Sequence, residues 1–179
     1  MSYNITSALQ GGNVTLSKAG LTGLSGAATT YSTGSTAITY AVQGKIPTAK
    51  AQVSGGTTPT TDGVTSATFA VLKANQGCAF VWCLDVSGNV KVVQGPVPIQ
   101  PGTVSTVTNV DDSGNWVYAP QFPQIPDTLA PFAYAIVRLT SSYAGTTGFR
   151  FGTDNWNTTG VATIAVQDVF TLPAFPQTA

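Results

Sequence analysis

The sequence predicts an all-β protein: an antiparallel sandwich or barrel, jelly-roll-like, of about seven to nine strands with an extended N-terminal arm. Three observations predict it. Thr is the commonest residue, with 28 copies in 179, while Glu and His are absent and Met occurs once; the residues that favour helices are scarce and those that favour strands and turns abound. Short apolar or alternating runs recur between clusters of Gly, Pro, Asn and Asp. A turn signature, Asp-x-Ser-Gly-Asn, occurs twice, at 85–89 and 111–115, matching at four of five positions.

Residues 1–35 are rich in Gly, Ser, Thr and Ala with scattered apolar side chains, and read as an extended or irregular arm. A β domain follows over 36–179 and ends in a proline-rich tail. In 35–42, Ile38, Tyr40 and Val42 alternate on one face, as in a half-buried strand. The stretch 67–74 reads as a strand or a short helical turn, with Phe69 and Val71 sharing a face. "CAFVWCLDV" (78–86) is a nearly unbroken apolar run, the signature of a central strand covered on both sides. It pairs with 89–95 through the first Asp-x-Ser-Gly-Asn turn. By the same logic "TVSTVTNV" and "NWVYAP" form a second hairpin around 111–115. Strands over 131–140, 147–152 and 161–172 complete the set.

The composition narrows the chemistry. Without histidine, Ser-His-Asp and Cys-His catalysis cannot be assembled within this chain. Cys78 and Cys83 lie an odd number of residues apart on one strand, hence on opposite faces, and read as two reduced buried thiols and not as a disulfide or a zinc site. Of seven Asp, five (Asp62, Asp85, Asp111, Asp112 and Asp154) sit in turn-like contexts, where Asx hydrogen bonding explains them. Asp111, Ser113 and Asn115 offer alternate oxygens as calcium loops do, but the loop is short and lacks a distal Glu. No catalytic residue, metal or cofactor is expected. Seven scattered cations balance seven acids, which argues against a nucleic-acid partner. No run approaches the ~20 apolar residues of a membrane span, and no secretory signal is evident at the N-terminus, so synthesis in a cytoplasm is expected.

A Phe-Pro element appears twice, as "APQFPQIPD" (119–127) and as "LPAFPQ" (172–177). Prolines remove ladder donors and force an extended path, so such a segment lies over a surface or along an edge. Phe122, Pro123, Ile125, Phe175 and Pro176 are the expected partner contacts. Trp116 and Trp156, flanked by turn residues, join them as interface residues, or alternatively as a sugar-stacking platform.

The runs "CAFVWCLDVSGNVKVVQGPV", "DDSGNWVYAPQFPQIPDTLAPFAYAIV" and "VQDVFTLPAFPQ" resemble a family of small head-structural proteins of tailed bacteriophages, thought to be decoration or cement proteins. The resemblance covers roughly residues 36–177 and leaves out the N-terminal arm. It implies a capsid-exterior protein that binds between capsomers, with the major capsid protein as partner and no enzymatic activity. A homo-oligomer is expected, as a dimer or a trimer. The alternatives are a tail-fibre or adhesin module that binds host glycan and, third, a tail-tube or neck subunit.

Overall fold

The computed structural model describes residues 12–26, 29–47, 49–98, 107–145 and 147–176. Among them there is no helix, and every strand ladder is antiparallel. Four two-residue strands come first: β1 (Val14–Thr15), β2 (Thr30–Tyr31), β3 (Tyr40–Ala41) and β4 (Gly56–Thr57). Four longer strands follow: β5 (Gly77–Asp85), β6 (Val90–Gln94), β7 (Leu129–Leu139) and β8 (Val161–Asp168). These last four form one sheet in the order β6-β5-β7-β8.

β5 is the doubly covered strand its apolar run predicts. Cys78, Phe80, Trp82 and Leu84 enter a main core, whereas Val81 and Cys83 belong to a second cluster on the opposite face. The two thiols therefore lie on opposite faces, free and buried. Burial pushes the Cys78 thiol up to about 12 and raises that of Cys83 as well.

β7 is an inner strand, yet it contains Pro131, which has no N–H to give the ladder. A bulge accommodates it. Trp82 faces Ala133 while the next residue, Cys83, faces Pro131, so Phe132 is the extra residue. A one-residue slip exchanges the faces of everything beyond it. Ala130 and Phe132 point into the main core, and so do Ala133, Ala135 and Val137, leaving Tyr134 and Ile136 on the far face. The bulge carbonyls find donors: Thr15 Oγ1 reaches Pro131 O at 2.7 Å, and Val169 N reaches Phe132 O at 2.9 Å.

The main core is aromatic. Phe80 and Phe151 stack at 4.1 Å, and Phe69, Trp82 and Trp156 meet Phe151 at centroid distances of 5.2, 5.8 and 5.4 Å. Opposite the sheet, the core is closed by short pairings, β1 with β3 and β2 with β4, and by isolated bridges such as Ile38–Lys50, Thr22–Ser32 and Leu72–Phe149. Ala19, Leu21, Leu24 and Tyr31, from the stretch expected to be an arm, lie in this same core. The barrel alternative is corrected: β6 and β8 remain at opposite edges of the sheet. The Thr- and Gly-rich stretch facing the sheet pairs only one or two residues at a time, too little to close it.

The second expected hairpin is also altered. Its turn forms, but Val110 and Trp116 make only an isolated bridge, and residues 103–106 of its first strand lie outside the described residues. Past Trp116 the N–H groups of Val117 and Tyr118 both turn to Asn109 O, and the prolines that follow offer no ladder donors. Likewise, the last strand stops at Asp168, short of the expected 172.

Phe151 sits at the centre of the aromatic cluster with no exposure. Phe151→Ala is expected to cost about 3–5 kcal/mol, read as a lowered urea midpoint with an unchanged slope.

Candidate interaction surface

The two faces of the sheet are covered unequally. On the far face, Val81, Cys83, Val93, Leu129, Tyr134 and Ile136 are buried, but no strand lies over them among the described residues. Their cover consists of half-buried side chains: Trp116, Phe122 and Ile125 from the first proline-rich segment, with Ala165, Val169 and Leu172 from β8 and the segment after it. Phe122 and Ile125 of the first Phe-Pro element and Leu172 at the start of the second thus meet on one face.

The first element is fastened at several points. In the turn before it, Asp111 Oδ1 accepts from Asn115 N at 2.7 Å and Oδ2 from Asn115 Nδ2 at 3.2 Å. The same two bonds, both 2.9 Å, occur between Asp85 and Asn89. Gly88 and Gly114 take the positive φ (78° and 84°) that both turns require. The buried Asn109 amide brackets Gly77, donating to its carbonyl at 3.0 Å and accepting from its N–H at 2.8 Å. The Arg138 guanidinium donates to Gly114 O. Trp116 then lies directly on Gly77, where an added Cβ would meet the indole at 2.2 Å. At Gly95 a Cβ would meet Gln121 O at 2.3 Å, so the segment also crosses close over the end of β6. Phe122 packs edge-on against Tyr134, with centroids 4.9 Å apart and planes at 76°.

The sequence-predicted contacts divide accordingly. Trp116, Phe122 and Ile125 are half-buried on the far face, and Pro123 is half-buried beside Phe122. Phe175 stands 79% exposed, and Pro176 beside it is buried. Trp156 does not join them. It is 5% exposed, in the main core against Phe149 and Phe151, because the turn that carries it folds inward behind those two rings. Sequence reasoning missed Phe170 and Tyr118, exposed at 55% and 65%. Phe170, which the expected strand over 161–172 takes in, lies beyond the end of β8. Its carbonyl instead accepts from Thr15 N, and Asp168 Oδ1 accepts from Leu21 N, which draws this stretch out of the sheet. Phe170 borders two clefts, of about 230 Å³ beside Lys18 and Val166 and of about 300 Å³ beside Tyr134, Val169 and Pro173.

The carboxylates are occupied by local structure. Asp62, Asp85, Asp111, Asp112, Asp154 and Asp168 all accept hydrogen bonds from backbone N–H groups or Asn side chains. Burial alone would raise the Asp62 and Asp85 carboxyls, but their hydrogen-bond donors outweigh it and hold both below the ordinary value. Among the described residues no cluster of three Cys or Asp side chains could hold a metal, and no helix is long and apolar enough to cross a membrane. No family model, no curated protein and no solved structure matches this chain.

Two outcomes follow from this geometry. Gly77→Ala should expel the Trp116 ring, costing roughly 1–3 kcal/mol and shifting indole fluorescence to the red. Carboxyls depressed by folding stabilise the protein above their unfolded value and lose that contribution as pH falls through the folded one. With no histidine present, the urea midpoint should stay flat through neutral pH and fall below the ordinary 3.8 of these groups, less steeply in Asp85→Asn.

Proposed function

We propose that this chain is a virion structural protein, a decoration or cement protein that binds the outer surface of a phage head and holds subunits of the major capsid protein together. The observation that carries this reading is the far face of the sheet. Among the described residues, the apolar layer there is covered by half-buried side chains of the two proline-rich segments together with Ala165 and Val169, and Tyr118, Phe170 and Phe175 stand exposed nearby. Pre-extended segments lose less entropy on docking than flexible ones, so they suit a protein that must bridge several neighbours. A nearly uncharged composition offers little resistance to association and suits a chain that works assembled. Six carboxylates engaged in turns and backbone contacts fit a structural role better than an enzymatic one.

In this reading the unequal cover on the two faces is a jelly-roll-like sandwich with one reduced layer. The protein works as a homo-oligomer on the capsid exterior after synthesis in the bacterial cytoplasm, with neither nucleic acid nor membrane as partner. The glycan-binding alternative loses its platform, since Trp156 is buried and Trp116 lies against Gly77.

Re-addition of purified protein to shells stripped of it tests the reading. Wild type should rebind, and Phe175→Ala should lower occupancy about ten- to a hundredfold at limiting concentration without altering the fold, because the ring is exposed. Phe122→Ala should lower it too, but with some loss of stability, since that ring also packs on Tyr134. Full occupancy by Phe175→Ala, or binding to saccharide and not to shells, would reject it.

A further inference from the structure

We propose that this chain forms a twofold dimer in which Phe175 of each copy enters the cleft beside Phe170 and Tyr134 of the other. The proposal rests on the reading of the chain as an assembly subunit, and it concerns only the contact between copies.

Phe175 is a presented side chain. Leu172 before it packs on the far-face cluster and Pro176 after it is buried, while the ring between them is 79% exposed. Pro173, Ala174 and Phe175 thus stand out together between two anchors, the half-buried Leu172 and the buried Pro176, with the ring at the end of the exposed stretch. The cleft of about 300 Å³ is lined by Tyr134, Gln167, Val169, Phe170, Thr171 and Pro173. Pro173 is two residues from Phe175, so knob and hole belong to one patch. A patch carrying both is self-complementary about a twofold axis, each copy filling the other's hole.

Its own knob does not fill the hole. Phe175 is not among the residues that line the cleft of its own chain, and its ring is 79% exposed. The chain already shows which surface a Phe-Pro element selects, because Phe122 packs edge-on against the same Tyr134. Charge does not oppose the pairing: Asp168 at the cleft lies 4.0 Å from Lys18 of its own chain.

Sedimentation of the purified protein across the micromolar range tests this. Wild type should be dimeric, and Phe175→Ala should dimerise about ten- to a hundredfold more weakly with an unchanged circular dichroism spectrum. Thr171→Arg, which blocks the cleft from an exposed position, should do the same. The two variants mixed should dimerise better than either alone, because the Phe175 of one then meets the intact cleft of the other. A monomeric wild type, a trimer, a Phe175→Ala dimer of wild-type strength, or no recovery on mixing overturns the proposal. Stripped shells separate the two readings. If Phe175→Ala keeps its dimer but loses shell occupancy, the ring belongs to the capsid contact; the dimer proposal falls and the capsid reading stands.

Discussion

The arrangement depends on one extra residue in β7. Pro131 cannot serve an inner ladder, and the bulge at Phe132 that accommodates it also exchanges the faces of the rest of the strand. Phe132 and Ala133 both enter the main core, and Tyr134 is delivered to the far side. Without that slip, Tyr134 would point among the aromatic rings and Phe122 would have no edge to pack against. The freed carbonyls are reused as well, since they tie β1 and the segment after β8 to the middle of the sheet.

From this follows a division of labour between the faces. The aromatic cluster around Phe151 supplies most of the burial and fixes the sheet from one side. The other side can then carry a thin cover of extended segments without leaving the protein dependent on it. That cover is not loose: Asn109, Gly77 and Gly95 hold the first segment at backbone contact distance. What a partner meets is thus a set of edges and rings already in place, which lowers the ordering cost of association.

Much of this was legible in the residues. The unbroken run around Trp82 announced a doubly covered strand, and the odd spacing of Cys78 and Cys83 placed them on opposite faces. Asp-Ser-Gly-Asn chemistry announced both turns, because the Asp side chain satisfies the backbone within five residues. The bulge was not legible, since it is a compromise between Pro131 and the strands on either side of it. Nor was the position of Trp156, whose neighbours in sequence are polar and whose burial is decided by Phe149 and Phe151 across a turn. The early chain escaped for a related reason. Four apolar side chains buried among its described residues, Ala19, Leu21, Leu24 and Tyr31, are spaced without period, because they descend onto the core from irregular backbone.

The two cysteines give this asymmetry a native pair of probes. Cys83 belongs to the far-face cluster and Cys78 to the aromatic core, and both thiols are buried while their faces are shut. A reagent that marks Cys83 and spares Cys78 would report the cover lifting from an intact sheet, whereas labelling of both would report global unfolding. The chain thus records, in covalent form and without an introduced label, which of its two sides opened first.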